Sequence, residues 1–164
     1  MKMTLDKFDS AGRSRISQLI NKSNQFNLTT KRYNEVDIEK IENDECFYTR
    51  QIRLKDVFGD NGMVSVIICH KGTDSWTIDT WLMSCRVLGR SVEVAALQDI
   101  ILNAKKAGVN KLIGMYIPSP RNIVVKDHYQ KLGFFKMSGG EEVENWMLDI
   151  NNYEPPKILI TIDK

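Results

Sequence analysis

Residues 81–101, WLMSCRVLGRSVEVAALQDII, decide the fold, because they predict a strand that ends in a turn and leads directly into a helix. The turn is residues 86–91, RVLGRS, in which Gly89 permits a positive φ or a close approach of the backbone to a ligand. Backbone N–H groups at such a turn and the positive end of the helix dipole together attract an anion such as phosphate. Arg86 and Arg90 add positive charge to this predicted anion site.

The segments on either side of this junction predict an α+β fold, in which helices flank a mixed, mainly antiparallel sheet. Residues 58–62, FGDNG, contain Asn-Gly and predict the turn of a hairpin between the first two strands. In chain order, the predicted elements are helices at 13–24 and 34–44, strands at 46–57, 63–71 and 75–85, a helix at 91–107, a strand at 111–117, a helix at 122–132, and strands at 134–137 and 145–150. The element order is therefore αα-βββ-α-β-α-ββ.

The chain length of 164 residues fits one domain. We expect residues 1–12 to be a loose lead-in and residues 13–152 to form the domain. Residues 153–164 are expected to be a tail that forms either a last strand or an edge strand that meets a partner.

Composition disfavours several classes of protein. The net charge of +2, from 23 basic and 21 acidic side chains, is too balanced to predict a nucleic-acid partner. No run of 18 apolar residues predicts a membrane span, and the N-terminus lacks the apolar core of a secretion signal. Cys46, Cys69 and Cys85 are odd in number and lack C-x-x-C spacing, so we expect no disulfide framework, no metal and a cytoplasmic location.

Residues 122–134, NIVVKDHYQKLGF, form a second motif. They resemble the signature N-x-x-A-x-x-x-Y-x-K-x-G-F of the GNAT superfamily of N-acyltransferases, with Val125 in place of alanine. The turn at 86–91 resembles the pyrophosphate loop of the same superfamily, Q/R-x-x-G-x-G/A, with Ser91 at the last position. The second motif begins 31 residues after Ser91, with one predicted helix and one predicted strand between, which is the spacing of the superfamily.

The GNAT resemblance implies a pantetheine-bearing cofactor, either coenzyme A or the phosphopantetheine of an acyl carrier protein. It places the pantetheine arm in a gap beside the strand at 75–85 and the pyrophosphate at the turn. The implied cofactor-binding residues are Met83, Cys85, Arg86, Val87, Leu88, Gly89, Arg90, Ser91 and Asn122. Asn122 is also suited to cap the predicted helix, and both roles can hold together.

Tyr129 matches the tyrosine that protonates the leaving thiolate in many GNAT enzymes, and a phenol needs no unusual pKa for that role. The alternative is a tyrosine that is simply buried on the inner face of the helix.

A narrower resemblance covers residues 13–150. The blocks at 18–33, 56–66 and 81–93, together with residues 129–134, resemble the C-terminal acyltransferase-like domain of the FkbH-type family. That family is associated with making glyceryl or methoxymalonyl units on acyl carrier proteins. It implies a carrier-protein partner and a phosphatase partner of the haloacid-dehalogenase (HAD) type, whose D-x-D-x-T motif is absent here.

An enzyme-bound glyceryl thioester, proposed for the FkbH-type family, makes Cys85 a candidate nucleophile. Arg86 and the following helix N-terminus would favour its thiolate form. The alternative for Cys85 is packing. Strict alternation predicts that Asp79 shares a face with Cys85, which makes Asp79 a candidate base. Glu93, in the first turn of the helix at 91–107, is a second candidate base. His128 is expected at the surface.

Three functions therefore remain open. The first is an acyltransferase that moves a small, possibly glyceryl-type, acyl group from coenzyme A or a carrier protein. The second is a non-catalytic docking module, in which basic side chains meet an acidic carrier protein; they are Arg86, Arg90, Arg121 and Lys126. The third is an N-acetyltransferase that uses acetyl-CoA.

Overall fold

A computed structural model describes residues 1–137, 140 and 142–163. Its helices and strands, numbered in chain order, are β1 Lys2–Asp6, α1 Arg13–Lys22, α2 Glu35–Glu42, β2 Phe47–Asp56, β3 Gly59–Lys71, β4 Ser75–Met83, α3 Val92–Lys106, β5 Lys111–Tyr116, α4 His128–Lys131, β6 Phe135–Lys136, β7 Glu144–Asp149 and β8 Thr161–Asp163. Short 3-10 turns lie at Cys85–Val87, Ile123–Val125 and Ile150–Asn152.

The described strands form one sheet in the order β6-β7-β5-β4-β3-β2-β1-β8. Neighbours are antiparallel except β4 with β5 and β1 with β8, which are parallel. One face of the sheet packs its apolar side chains against α3 and α4, and the other face packs against α1 and α2. The predicted fold class, a mixed and mainly antiparallel sheet flanked by helices, is confirmed.

The N-terminus differs from the predicted loose lead-in. Residues 2–6 form β1, which pairs with β2 and also with β8, and Met3 is fully buried. The alternation of Met3 and Leu5 with polar residues is a strand pattern, although it is too short to stand out in the sequence. The tail forms a last strand at Thr161–Asp163, which is one of the two alternatives predicted for it.

The β2–β3 hairpin turns earlier than predicted. Asp56 pairs with Gly59, so Val57 and Phe58 form the tip, and Asn61-Gly62 lies inside β3. The Asp56 carboxylate accepts hydrogen bonds from the Phe58 N–H and from the Asn61 side chain, at 2.8 and 3.1 Å. An aspartate that binds the backbone two residues on makes its own turn, and here it decides the hairpin tip.

The predicted helix at 122–132 is broken. A 3-10 turn at Ile123–Val125 precedes the four-residue α4. Three consecutive β-branched residues, Ile123 to Val125, disfavour a continuous α-helix, and Asn122 makes no side-chain cap.

β4 contains a bulge at Asp79, since Ile68 pairs with Thr80 and Cys69 pairs with Ile78. An extra residue reverses the alternation that follows it. One buried face therefore carries Trp76 and Ile78 before the bulge and Trp81 and Met83 after it. The predicted common face for Asp79 and Cys85 is wrong for this reason.

Candidate functional site

The candidate site lies where β4 and β5 separate. The two strands pair only from Ser75 with Lys111 to Ile78 with Gly114. Beyond Ile78 the strands diverge, leaving a gap between them that opens toward the turn at 86–91. This is the gap in which the sequence resemblance places a pantetheine arm.

The turn that follows β4 has the backbone shape expected of an anion site. Gly89 has φ of 75°, and Ser91 has φ of 64°, which is uncommon for a residue with a side chain. Ser91 stands at the N-cap position of α3 without a side-chain cap, contrary to the capping role that its residue type suggests.

Several N–H groups of this turn are unused by the protein. The amides of Val87 and Arg90 donate to Ser84 and Val87 carbonyls, both within the turn. In contrast, the amides of Gly89, Ser91, Val92, Glu93 and Val94 make no hydrogen bond to another described residue. These five N–H groups, just before and within the first turn of the 15-residue helix α3, are suited to bind a phosphate or pyrophosphate.

Both arginines of the turn contact the β2–β3 hairpin. Arg90 forms an ion pair with Asp56 at 2.5 Å, and Arg86 reaches the carbonyl of Asn61 at 3.4 Å. The Arg90 guanidinium, aided by the Phe58 N–H and the Asn61 amide, lowers the pKa of Asp56 to about 2. The Asp56 carboxylate therefore partly neutralises the positive charge of Arg90, and the ion pair holds the turn at 86–91 against the hairpin.

Cys85 is exposed in the 3-10 turn after β4. Its Sγ lies 3.5 Å from Gln25 Oε1. Both residues line a pocket of about 390 Å³ between the end of α1, the residues that follow it and the end of β4. The pocket wall is mixed: Leu19, Phe26 and Met83 give it an apolar part, and Lys22, Ser23, Asn24 and Ser84 give it a polar part.

The gap itself is filled by a segment of the same chain, residues 26–29, which we call the gap segment. Leu28 N–H donates to Trp81 O at 3.0 Å, and Met83 N–H donates to Phe26 O at 3.0 Å. On the opposite side, Ile117 N–H donates to Leu28 O at 2.8 Å. The gap segment thus bridges β4 and the end of β5 as a short irregular strand.

Asn122 holds the gap segment rather than a helix end. Its side chain is fully buried and donates to Asn27 O and Ile117 O at 2.9 and 3.0 Å. Its Oδ1 accepts from Ser119 N–H at 2.8 Å. In this conformation Asn122 has no free amide hydrogen for a pantetheine arm, and the backbone N–H of Met83 is also in use.

Tyr129 lies at the closed end of the gap, on the same sheet face as α3. Its ring covers Gly114, the last residue of β5 that pairs with β4. The hydroxyl makes one long contact, 3.5 Å to Met115 O. Burial raises the pKa of Tyr129 well above its usual value, which keeps the phenol protonated.

The two residues predicted to be catalytic lie at opposite ends of the gap. Cys85 follows the open end, next to the turn, whereas Tyr129 covers the residue at which the strands part. Cys85 lies seven positions beyond Ile78 along the chain, whereas Trp81, whose ring centroid is 6.3 Å from that of Tyr129, lies four positions before Cys85. The two side chains therefore meet the gap at different positions along β4.

Asp79 marks the closed end of the gap on the face of α1 and α2. Its carboxylate forms an ion pair with Lys31 and accepts a hydrogen bond from Tyr33 at 2.7 Å. Burial, followed by the hydrogen bond to Asp79, raises the pKa of Tyr33. Lys31 and Tyr33 belong to the block at 18–33, but neither residue stands at a motif position that would have identified it from the sequence.

His128 is buried rather than exposed. It lies edge-on to Trp81 and to Phe26, with ring centroids 4.5 and 5.1 Å apart. Loss of solvation lowers the pKa of His128 to about 3, so the imidazole is neutral at ordinary pH. Among the described residues, His128 Nε2 and Trp81 Nε1 have no hydrogen-bond partner.

Glu93, the other candidate base, lies in the first turn of α3, apart from the closed end of the gap. Its Oε2 is buried and has no partner among the described residues.

Within residues 1–137, 140 and 142–163, no helix has both the length and the apolar character needed to span a membrane. These residues also contain no cluster of three histidine, cysteine or acidic side chains that could hold a metal ion.

Solved structures resemble this chain, whereas no protein-family model and no curated protein matches its sequence. The ribosomal-protein-S18-alanine N-acetyltransferase from Escherichia coli superposes with a TM-score of 0.68 and 16% identity, over 90% of this chain and 94% of that one. The GNAT domain of S. lividans PAT gives 0.67 and 13%, over 88% and 89%. The NatC complex bound to Gag peptide and CoA gives 0.65 and 14%, over 91% and 99%. The chain therefore has the GNAT fold.

Proposed function

We propose that this chain is an acyltransferase that takes a small acyl group from a pantetheine thioester. The observation that carries the proposal is the set of five unused amides from Gly89 to Val94, placed at the open end of the β4–β5 gap. Such a set suits the pyrophosphate of coenzyme A or the single phosphate of a carrier-protein phosphopantetheine. An arm anchored there and directed along β4 ends near Tyr129 and Asp79.

The closed end supplies an acid and a base on opposite faces of the sheet. Asp79, held by Lys31 and Tyr33, accepts the proton of the attacking group. As the tetrahedral intermediate collapses, the bond between the carbonyl carbon and the thioester sulfur breaks, and the Tyr129 hydroxyl gives its proton to the departing thiolate. The carbonyl of Met115, 3.5 Å away, orients that hydroxyl.

Cys85 supports a second, covalent route that follows from the FkbH-type resemblance. The Cys85 thiolate attacks the thioester carbonyl, the acyl group moves to Sγ, and the donor sulfur leaves as a thiolate that takes the proton lost by Cys85. The polar side chains in the pocket around Cys85, among them Gln25 and Ser84, could bind the hydroxyl groups of a small acyl group such as glyceryl. This route places the thioester at the open end of the gap.

One mass-spectrometric experiment separates the two routes. The protein is incubated with glyceryl-CoA, acetyl-CoA, or a carrier protein loaded with either acyl group. The covalent route predicts an adduct of the acyl mass that disappears in Cys85→Ala and persists in the matched variant Cys46→Ala, since Cys46 is also exposed. Turnover without an adduct assigns the chemistry to Tyr129 and Asp79, and no thiol release with any donor contradicts the proposed activity.

The tip of the β2–β3 hairpin favours a carrier protein over free coenzyme A as the donor. Val57 and Phe58 are 91 and 94% exposed, and the Arg90–Asp56 ion pair holds them beside the turn at 86–91. An exposed apolar pair next to Arg86 suits an acidic protein that delivers its phosphopantetheine at this point. The HAD-type phosphatase partner implied by the FkbH-type resemblance is proposed on that resemblance alone.

Replacing Val57 and Phe58 together with serine should weaken binding of a phosphopantetheinylated carrier protein about tenfold, since removal of apolar contacts of this size costs about 1–2 kcal/mol. Binding of free coenzyme A should stay within about twofold, which serves as the internal control. Surface plasmon resonance with immobilised carrier measures the first value, and calorimetry measures the second. Equal effects on both ligands would contradict carrier docking at the hairpin tip.

A second candidate is N-acetylation of an amine, favoured by structural neighbours that are named as N-acetyltransferases. In that case acetyl-CoA should be the preferred donor and an amine the acceptor, which a screen of amines and peptide N-termini tests.

A third candidate is a docking module without catalytic activity, favoured by the filled gap. It predicts carrier binding that Tyr129→Phe and Cys85→Ser leave unchanged and no turnover with any donor.

A further inference from the structure

The gap segment makes the hydrogen bonds that a pantetheine arm would make. Pantetheine contains two secondary amides, each with one donor and one acceptor, so it binds to a strand edge as a peptide does. Phe26 O and Leu28 N–H already satisfy Met83 N–H and Trp81 O, which face the gap from β4. The Asn122 amide, implied by the resemblance to bind the arm, donates to Asn27 O.

The gap segment is buried, and irregular chain flanks it on both sides. Three backbone hydrogen bonds connect it to β4 and to Ile117, and two more involve side chains: Thr29 Oγ1 donates to Asp79 O and Asn122 donates to Asn27 O, both at 2.9 Å. The Asn27 side chain braces the turn after it, because Oδ1 accepts from the Thr29 and Thr30 N–H groups at 3.3 and 2.9 Å. Thr30 has φ of 52°, a strained value for a β-branched residue.

Two buried side chains beside the gap segment, His128 and Trp81, each have a nitrogen without a hydrogen-bond partner in the described part of the chain. Phe26 packs edge-on to His128, and its ring gives no hydrogen bond to the imidazole. His128 Nε2 and Trp81 Nε1 are both buried without a partner among the described residues. Buried polar atoms of this kind are normally paired with a hydrogen-bond partner. The Phe26 side chain cannot supply one, so its position beside His128 is less favourable than that of a polar group.

We propose that the gap segment, residues 26–29, is an internal stand-in for the pantetheine arm and leaves the gap when the arm enters. The closed form keeps the strand edges and Asn122 paired in the absence of a ligand. Entry of the arm exchanges one set of amide hydrogen bonds for an equivalent set and relieves the strained φ of Thr30. The acyl site is thus mostly closed in the free protein, and a ligand held at Gly89–Val94 shifts the population toward the open form. This inference rests on the proposed function.

Hydrogen–deuterium exchange of the full chain, with and without saturating coenzyme A, tests this inference. Exchange in residues 86–95 should slow as the phosphates cover the free amides, and exchange in residues 23–31 should become at least about threefold faster as the gap segment leaves. If 86–95 slows while 23–31 is unchanged or slower, coenzyme A binds but the gap segment is not displaced. That result overturns this inference and leaves the proposed function standing.

A variant gives an independent measure. Asn27→Ala removes the brace of the gap segment without altering β4, β5 or Asn122. If the open form is a minor population in the wild type, this variant should bind coenzyme A up to about tenfold more tightly. Asn27 also donates to Ser23 O at 3.2 Å, and Asn103→Ala is the matched control, since Asn103 donates to a backbone carbonyl in the same way but lies on α3.

Equal affinity of Asn27→Ala and the wild type overturns the inference. If neither protein binds coenzyme A, the inference and the proposed function fall together. If Asn27→Ala does not fold, as shown by circular dichroism, the exchange experiment on the wild type decides alone.

Discussion

Replacing Tyr129 with phenylalanine should lower kcat for thiol release about 100-fold, the usual contribution of a positioned general acid. The reason is its place in the molecule, where the ring covers Gly114 at the closed end of the gap. Stability should change by less than about 1 kcal/mol, because the hydroxyl makes a single long contact and the ring stays in place. The measurements are steady-state kinetics with the donor found active and denaturant unfolding.

The control for Tyr129→Phe is Tyr153→Phe. Tyr153 is a half-buried tyrosine beyond β7, outside the gap, and its substitution should leave kcat within about twofold. Affinity for coenzyme A should be unchanged in both variants, so that the loss falls on kcat rather than on KM. A loss of less than threefold in Tyr129→Phe would remove the tyrosine from the proposed chemistry.

Acidification should destabilise the fold through His128, well above the pH at which carboxylates titrate. The pKa of the buried imidazole is about 3 in the folded chain, against an ordinary value of 6.5. Above pH 6.5 the group is neutral in both states and has no effect. Between pH 6.5 and about 3 the unfolded chain binds a proton that the folded chain refuses, so stability falls by up to about 1.4 kcal/mol per pH unit.

Two single variants isolate this effect, because the chain has only two histidines. His128→Leu should flatten the fall in unfolding free energy between pH 6.5 and 4.5 by about 2 kcal/mol, whatever its effect at neutral pH. His70→Gln should keep the wild-type profile, since His70 lies exposed at the end of β3. The measurement is urea unfolding at several pH values. Parallel profiles for the wild type and His128→Leu would show that His128 titrates normally.

The sequence predicts the junction between β4 and α3 well, because its determinants are local. Gly89 and the first turn of α3 act over a few residues, and the structure gives Gly89 the positive φ that was expected. The predicted element order for residues 13–150 is likewise present, since periodicity reports on each element separately. The break at 123–125 was missed because the motif match outweighed the β-branched run.

The gap segment was not predictable because its partners lie far along the chain. Phe26 and Leu28 bind residues of β4 more than 50 positions away, and Asn27 meets Asn122 across 95 positions. The polar composition of this stretch is typical of helix caps and turns, or of a polar wall over a substrate pocket, and neither interpretation identifies a partner strand. No glycine marks the bulge at Asp79 in the sequence, so strict alternation assigns the residues after Asp79 to the wrong face of β4. The contacts of Asp79 with Lys31 and Tyr33 depend on the folded chain and were not predicted.

The central claim is that the turn after β4 binds the phosphates of a pantetheine cofactor, and amide chemical shifts test it most directly. Coenzyme A is titrated into 15N-labelled protein, with pantetheine, which lacks the phosphates, as the comparison. The account predicts that the amides of Gly89, Ser91, Val92, Glu93 and Val94 shift with coenzyme A and much less with pantetheine. Unchanged resonances at these five amides under saturating coenzyme A, or equal shifts with both ligands, would contradict it.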